Sequence, residues 1–227
     1  QNALADNTTA DNNTAVGYNA LRLNTSGTEN VAVGSVALDA VTTSSDNTAV
    51  GFAALSSNTA GNNTGLGAYA LYLNTTGTQN VAVGAYALDA NTTAGTNTAI
   101  GYAALTTANG GSYNTAVGAV TLNDLTTGQY NTAVGASAGE QVTTGGNNLL
   151  LGLNAGRSSS PSGTLSTHSN IVCLGNNSIS DLYCADTSIS SSDGRDKTDV
   201  TDFTHGLSWI KELRPVTYRW DRRTWYS

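Results

Sequence analysis

One short block near the end of the sequence groups residue types that could do chemistry. Ser192-Asp193-Gly194-Arg195-Asp196-Lys197 brings a hydroxyl, carboxylates and cations together. A serine hydroxyl becomes a nucleophile when a base accepts its proton, and a lysine can act as that base if desolvation lowers its pKa. The same residues are also typical of a solvated turn. On spacing alone, the turn is the favoured interpretation.

Two acidic residues elsewhere, Asp39 and Asp89, could be taken for the paired carboxylates of a glycosidase. They occupy equivalent positions of the repeat described below, three units apart, and would lie about 14 Å from each other at a strand spacing of about 4.8 Å. That separation is too large for a retaining or an inverting mechanism. His168 and His205 have no companion ligands, so two solvated histidines are expected. No metal and no cofactor is therefore predicted.

The element that must position any of these residues is a repeat that fills most of the chain. A motif of the form Asn13-Thr14-Ala15-Val16-Gly17 returns about every 17 residues, and one step is shorter by a single residue. A fixed period of this kind predicts stacked units and not a conventional globular domain. The glycines that close the motif are Gly17, Gly34, Gly51, Gly67, Gly84, Gly101, Gly118, Gly135 and Gly152.

Within each unit, a small residue stands between two larger ones just before the glycine, as in Val31-Ala32-Val33. This alternation predicts a short strand. A second segment ends in a leucine four residues after the glycine, and Asn, Thr, Gly and Ser then favour a turn. Each unit is therefore predicted to form two short strands and two turns, which make one coil of a β-solenoid. Its interior would be a slim core of Ala and Val.

An asparagine opens each motif, and these residues are predicted to stack as a ladder that satisfies neighbouring side chains and the turn backbone. The ladder consists of Asn13, Asn30, Asn47, Asn63, Asn80, Asn97, Asn114, Asn131 and Asn148. One coil cannot be stable alone, because burying three apolar side chains contributes about 1.5–3 kcal/mol each. Ordering every residue of the coil costs about 1.5 kcal/mol apiece. The alanine row suggests a face where another backbone comes close, so an oligomer that shares its interior is predicted.

These repeats carry a resemblance to a known family. The motif of Asn13 to Gly17, followed by Tyr18-Asn19-Ala20-Leu21, resembles the head repeats of trimeric autotransporter adhesins of the YadA type and related repeats in phage tail fibres. The resemblance covers residues 13 to about 156. It implies a left-handed parallel β-roll that is homotrimeric about a threefold axis. The coils, at about 17 residues, are longer than is usual in those adhesins, which affects the turn geometry and not the architecture.

The repeat pattern breaks in the last third of the chain. The leucine position becomes Gly139 and then Gly156, which predicts a thinning body, and residues 157–169 are typical of a loop or widened turn. Asn170-Ile171-Val172-Cys173-Leu174-Gly175 repeats the motif with one residue added, as a bulge or a final coil. Cys173 falls in the small-residue row of that motif, so buried packing is its expected role. Ile179 to Ile189 would form a tapering neck.

A separate domain is predicted to begin at residue 191, since all three Trp lie beyond that point. The predicted divisions are 1–156 for the repeat body, 157–190 for the loop, last coil and neck, and 191–227 for the C-terminal segment. In that segment Leu207, Ile210 and Leu213 suit one face of a short helix, and the residues after Pro215 alternate as a strand. The C-terminal segment is therefore predicted to be small and α+β.

A second resemblance covers this C-terminal segment. The Ser192 block, followed by Leu213-Arg214-Pro215-Val216-Thr217-Tyr218-Arg219-Trp220, resembles the start of the endosialidase-type intramolecular chaperone domain, which ends many phage tail fibres and tailspikes. The resemblance implies trimerisation of the fibre, followed by self-cleavage of the bond between Ser191 and Ser192. Ser192 would be the nucleophile and Lys197 its general base. Whether this chain cleaves itself stays open at this point; no activity on an external substrate is predicted.

Charge limits the choice of partners. Residues 1–190 hold two basic residues, Arg22 and Arg157, against ten acidic ones, whereas residues 191–227 hold seven basic and six acidic residues. The net charges are therefore −8 and +1, which sum to the −7 of the whole chain. An acidic body argues against nucleic acid or an anionic membrane as a partner. No apolar run is long enough to insert into a bilayer.

The sequence therefore predicts a structural and host-adhesion segment of a trimeric phage tail fibre, located in the virion. The expected partners are two further copies of the chain, other tail proteins, and a host-cell surface receptor that is a glycan or an outer-membrane component. The recurring tyrosines are candidates for receptor contact, although edge packing is the favoured role. These tyrosines are Tyr18, Tyr69, Tyr72, Tyr86 and Tyr102.

Two other functions stay open. The first is a bacterial trimeric surface adhesin head without proteolysis, which would lie on the bacterial cell surface. The second is an ice-binding solenoid, because rows of threonine on a flat solenoid can order water. The second is disfavoured, since the threonine rows alternate with valine and are expected to face inward.

Overall fold

The computed structural model describes residues 2–181 as an all-β parallel solenoid. Ten strands of three residues pair in parallel, in the order of the sequence, to form one sheet. The strands are β1 (Thr14–Val16), β2 (Val31–Val33), β3 (Thr48–Val50), β4 (Thr64–Leu66), β5 (Val81–Val83), β6 (Thr98–Ile100), β7 (Thr115–Val117), β8 (Thr132–Val134), β9 (Leu149–Leu151) and β10 (Val172–Leu174). The predicted β-solenoid is confirmed. In residues 2–181 no helix is long and apolar enough to cross a membrane.

The strands are stacked in register along the whole sheet. Ala15 pairs with Ala32, and Ala32 pairs with Ala49. The one short unit does not disturb this register, since Ala49 pairs with Gly65 and the missing residue is lost from the turn between Asn58 and Asn63. At a strand spacing of about 4.8 Å, the ten strands extend over about 43 Å.

Each coil contains one strand, so the prediction of a second strand ending in leucine is wrong. The segment after each repeat glycine consists of turns, with positive φ at the second and fourth residues, as at Val36 (52°) and Leu38 (50°). A strand cannot continue through a left-handed backbone conformation. The turns still join neighbouring coils, because their amides donate to the next coil, as Leu38 N–H does to the Ala54 carbonyl at 3.1 Å.

The interior is built from the strand alanines and the turn leucines. Ala32 and Ala82 are fully buried, and so is Leu38. The two rows share one space: a Cβ on Gly65, which takes the alanine position in β4, would lie 3.2 Å from Leu55 Cγ. The alanines are therefore small because leucines face them. The expectation that the alanine row is a face for another backbone is wrong.

The residues that flank each alanine point away from the core. Successive side chains of a strand alternate between its two faces, so an inward alanine places its neighbours outside. Val81 is 37% exposed and Ile100 is 40% exposed. The predicted core is therefore confirmed in its alanines and wrong in its strand valines, and the predicted inward threonine rows are wrong. The core is mainly Ala and Leu, with Val41 and Val142 from the turns, and a single chain buries it.

The body does not thin where glycines replace the leucines. Leu150, in the alanine row of β9, is fully buried, and its Cδ1 would lie 2.6 Å from a Cβ at Gly139. In the same way, Leu165 Cδ1 would lie 3.2 Å from a Cβ at Gly156. Large side chains from other rows, and Leu122 from the same row at 2.7 Å from the Cβ position of Gly139, thus fill the space that the two glycines leave.

The predicted asparagine ladder is confirmed. The backbone N–H of each asparagine donates to the side-chain oxygen of the preceding one, as Asn80 does to Asn63 Oδ1 at 3.0 Å. Except at Asn47, the side-chain amide donates to the turn carbonyl that leads into the next coil, as Asn80 Nδ2 does to Ala94 at 2.9 Å. A buried amide left unpaired would cost about 1–3 kcal/mol. The ladder therefore fixes the stacking and the turn together.

The motif at Asn170 forms a final coil. Asn170 (φ 62°) takes the left-handed position that Asn147 (φ 56°) holds one coil earlier. Ile171 N–H donates to Asn148 Oδ1 at 3.0 Å and so continues the ladder. β10 then pairs with β9 in register, which selects a final coil over a bulge.

The segment before the final coil forms turns, as predicted for residues 157–169. Of the predicted neck, Ile179 lies outside any strand. The rest of that neck, from residue 182, lies outside the described residues.

Candidate functional site

The predicted catalytic block lies outside the described residues. Ser191, Ser192 and Lys197 all follow residue 181, so their roles and the cleavage between Ser191 and Ser192 stay predictions. The structure does place the predicted repeat residues, which shape the surfaces considered below. These are Asn13, Gly17, Asn30, Gly34, Asn47, Gly51, Asn80 and Gly84.

The repeat glycines turn the chain out of each strand where successive coils approach closely. Gly118 has a φ of +135°, and a Cβ there would lie 2.6 Å from the carbonyl oxygen of Gly135. A side chain has no space at this position, and an L-residue rarely adopts this φ. The residues on either side of the glycine are consequently held at the surface, one above another from coil to coil.

These flanking residues form an exposed apolar stripe. We use this name for the residues immediately before and after the repeat glycines. Its large members that are exposed are Val16, Tyr18, Phe52, Leu66, Ile100, Tyr102, Val134, Leu151, Leu153 and Leu174. The stripe runs from the first strand to the last. A contiguous exposed apolar surface of this kind indicates an interaction site.

Aromatic rings in the stripe and next to it pack against each other. The rings of Tyr69 and Tyr86 are stacked, with centroids 5.3 Å apart, and Tyr69 meets Phe52 and Tyr72 edge to face at 5.2 and 5.4 Å. Tyr102 meets Tyr86 edge to face at 6.0 Å. Such pairs contribute about 0.5–1.5 kcal/mol beyond burial. For these four tyrosines, the structure supports the favoured role of packing.

The two candidate carboxylates lie at equivalent points of the coils that contain β2 and β5, three strand steps apart. Asp39 Oδ1 accepts a hydrogen bond from Ser56 Oγ at 2.8 Å. Asp89 Oδ1 is buried without a hydrogen-bond partner. Burial raises the pKa of the Asp89 carboxyl, although backbone hydrogen bonds partly oppose the shift. The two carboxylates are therefore three strand steps apart, as predicted, and this separation is too large for the acid pair of a glycosidase.

A small charged cluster lies further along the solenoid. Arg157 pairs with Glu140 at 2.9 Å. Burial raises the pKa of Asp124, the nearby Glu140 carboxylate raises it further, and the Arg157 guanidinium partly lowers it. Burial is the main cause of the raised pKa, because it disfavours the charged carboxylate, and the Glu140 charge acts in the same direction. The cluster is a structural ion pair with a neighbouring acid.

Cys173 lies in the alanine row of β10 and is 6% exposed. Its Sγ contacts Ser160 Oγ at 2.9 Å and Ser162 Oγ at 3.4 Å. The expected role in buried packing is therefore confirmed. In the part of the chain that the structure describes, no group of three or more His, Cys, Asp or Glu side chains is placed to hold a metal ion.

Sequence reasoning missed a second aromatic pair. Tyr113 and Tyr130 are stacked, with centroids 5.1 Å apart and ring planes 11° from parallel. Both are more than half exposed. A signal was present, since each immediately precedes a ladder asparagine and the two stand one repeat period apart. They lie beside a groove at the end of the solenoid.

The comparisons with known proteins concern the C-terminal segment. Residues 192–224 match the family model described as chaperone of endosialidase. The match contains the Ser192 block and Leu213–Trp220, the two stretches on which the second resemblance was based. It covers a small part of the chain and leaves the solenoid unassigned. Searches of curated proteins and of solved structures found no match for this chain.

Proposed function

We propose that the chain is a segment of a trimeric phage tail fibre in the virion. In this proposal the solenoid is the structural and adhesive part, and residues 191–227 drive assembly of three copies. The match of residues 192–224 to the chaperone of endosialidase carries the proposal. The confirmed solenoid supports it, because a stack of short parallel strands suits an elongated fibre.

The apolar stripe supports association between copies. It places large side chains in water, among them Leu153 at 55% exposure and Tyr102 at 58%. Burying such a surface is favourable by about 25 cal/mol per Å², and threefold symmetry can bring the three stripes together around one axis. Since each chain already fills its own core, the copies would pack side by side. This arrangement replaces the shared interior expected from the sequence.

The proposal includes self-cleavage between Ser191 and Ser192. Ser192 Oγ attacks the Ser191 carbonyl carbon while Lys197 takes the hydroxyl proton and passes it to the Ser192 nitrogen. The amide bond breaks and an ester forms between Ser191 and Ser192 Oγ. Water then hydrolyses the ester, which leaves a carboxylate on Ser191 and restores the Ser192 hydroxyl. A serine activated by a neighbouring lysine suits each of these steps.

Analytical ultracentrifugation tests the assembly role. The full chain and a chain that ends at residue 190 are produced separately and compared by sedimentation. The expected result is a trimer from the full chain and monomer or aggregate from the shorter one. A normal trimer from the shorter chain would overturn the assembly role.

Denaturing gels test the cleavage role. Ser192→Ala is expected to remain intact and to form the trimer, while the unmodified chain yields a product of residues 1–191. Equal cleavage of both chains would remove Ser192 from the reaction. An unmodified chain that stays intact would remove cleavage from the proposal and leave the assembly role standing.

A further inference from the structure

A groove lies at the end of the solenoid, beside β8, β9 and β10. It has a volume of about 300 Å³, and residues on both sides of the asparagine ladder line it. Because Asn148 points inward, its neighbours Asn147 and Leu149 point outward and form the two walls. One wall is Tyr130, Asn147 and Asn170, and the other is Thr132, Leu149 and Val172.

The ring of Tyr130 offers one face to this groove. Tyr113, one coil earlier, covers the opposite face at a centroid distance of 5.1 Å. Tyr130 remains 58% exposed, and the next two residues of its row, Asn147 and Asn170, line the groove with it. The stack therefore holds the Tyr130 ring in place as the floor of the groove at one end.

The backbone does not favour tyrosine at this position. Tyr113 (φ 62°) and Tyr130 (φ 60°) are left-handed, a conformation that Asn and Asp tolerate better than an aromatic residue does. The position is left-handed in every coil, and the other coils place Asn12, Glu29, Asp46, Asn62, Gln79, Thr96, Asn147 and Asn170 there. The left-handed backbone is therefore a property of the repeat, and Tyr113 and Tyr130 differ from the other residues of the row in their stacked aromatic rings.

Two amides form the polar part of the groove. Asn147 Nδ2 donates to Asn170 Oδ1 at 2.8 Å, and both side chains are exposed. This bond leaves Asn147 Oδ1 as an acceptor and the Asn170 amide as a donor, both available to a ligand. The pair holds the two amides in a fixed relative orientation beside the ring.

None of the described residues that line the groove is charged. An aromatic face, two amides and a short apolar wall are the kind of lining that binds small ligands, and about 300 Å³ is at the lower end of such sites. The apolar face of a pyranose ring suits Tyr130, while its hydroxyls suit the amides. A charged sugar would be desolvated without a counter-ion, which is unfavourable.

We propose that this groove binds a neutral hexopyranose residue of a surface glycan. The inference rests on the proposed adhesive function and names its ligand class. The groove and the apolar stripe lie on the same outer face of the sheet, at opposite ends of each three-residue strand.

Ligand-observed NMR on the full chain tests the inference. The probes are the methyl glycosides of glucose, galactose, mannose, N-acetylglucosamine and N-acetylgalactosamine, each at millimolar concentration, with glucuronic acid as the charged comparison. At least one neutral glycoside is expected to bind, and glucuronic acid is expected not to. Absence of binding by every neutral glycoside would overturn the inference.

Variants locate the binding. Tyr130→Ala is expected to weaken binding about tenfold, equivalent to about 1.4 kcal/mol, whereas Tyr130→Phe keeps the ring and is expected to retain it. The matched control is Thr96→Ala, in the same row two coils earlier. Equal affinity in Tyr130→Ala and the unmodified chain would overturn the site.

Sedimentation of each variant separates this test from that of the assembly role. A trimer without sugar binding contradicts only the groove. If the unmodified chain does not sediment as a trimer, the proposed function is contradicted.

Discussion

Leu150, together with Leu122 of the preceding coil, occupies the space that a side chain at Gly139 would need. Leu150 Cδ1 lies 2.6 Å from the Cβ that residue 139 would carry. In earlier coils the leucine comes from the turn and the alanine from the strand; here the strand supplies the leucine. The leucine can come from the turn or from the strand, because the interior has to be filled to the same volume and either position can supply the side chain. Close packing of protein interiors sets that volume within about one methylene group.

The exchange between these two positions can be tested directly. Leu150→Ala is expected to destabilise the solenoid by about 2–5 kcal/mol, because it leaves a cavity. Gly139→Leu alone is expected to destabilise it by overpacking, which costs about 1–3 kcal/mol. The double variant restores the arrangement of the earlier coils, in which Leu55 faces the small Gly65, and should recover much of the loss. Denaturant unfolding of the four proteins measures the coupling.

The informative quantity is the difference between the double variant's change in unfolding free energy and the sum of the two single changes. Ala133→Leu is the control and is expected to destabilise the solenoid, since the same step along the solenoid places Leu122, and not a glycine, against residue 133. Additive effects of Leu150→Ala and Gly139→Leu would contradict the shared space.

A second ladder of buried asparagines ends at Asn91, whose side-chain oxygen has no hydrogen-bond donor. Asn91 Nδ2 donates to Asn74 Oδ1 at 2.7 Å, but Asn91 Oδ1 is buried with no hydrogen-bond partner. The next coil has Ala108 at the equivalent position, and Ala108 is fully buried. Ala108→Asn would supply the missing donor. We expect a gain of about 1 kcal/mol in the free energy of unfolding, measured by denaturant titration.

Ala108→Asp is the matched control for that change. Its side chain has the same shape but, when ionised, no N–H to donate, and it buries a charge. It should destabilise the solenoid at neutral pH. Equal stabilities for the two variants would mean that pairing of the Asn91 oxygen does not cause the stability change in Ala108→Asn.

The sequence was sufficient to predict the stacking, because a period of about 17 residues with an asparagine in every unit directly implies coils in register. It was not sufficient to predict which side chains face inward. The alternation in Val81-Ala82-Val83 is compatible with burial of the alanine or of the two valines, and hydrophobicity alone favours burial of the valines. The decision depends on Leu88, which fills the interior from a left-handed turn that no simple pattern predicts. The groove was missed for a related reason, since it joins residues that are distant in the sequence, as Asn147 and Asn170 are.

The burial of Asp89 predicts a dependence of stability on pH. Burial raises the pKa of this carboxyl in the folded state above its usual value of 3.8. Folding therefore favours the protonated form, and the charged form destabilises the fold at neutral pH. This destabilisation fades as the pH falls through the raised pKa and is absent below the unfolded-state value. Asp89→Asn should raise the melting temperature at pH 7 and lose that advantage on acidification.

Asp39 provides the comparison at the equivalent position. Its Oδ1 accepts a hydrogen bond from Ser56 Oγ, so Asp39→Asn should not raise the melting temperature at pH 7. Thermal unfolding across the acidic range measures both variants. A constant difference between Asp89→Asn and the unmodified chain at all pH values would exclude titration of Asp89 as the cause.

The apolar stripe predicts how the proposed trimer can be broken. Ile100 lies in the middle of the stripe and is 40% exposed in the single chain. Ile100→Glu would bring three carboxylates to the contacts between copies, and unfavourable charge at an interface costs several kcal/mol. We expect trimer association to weaken more than about tenfold, since about 1.4 kcal/mol corresponds to that factor. Thr127→Glu adds the same charge at an exposed turn away from the stripe and should leave sedimentation unchanged. If both variants sediment as trimers of equal stability, the stripe is not the contact surface.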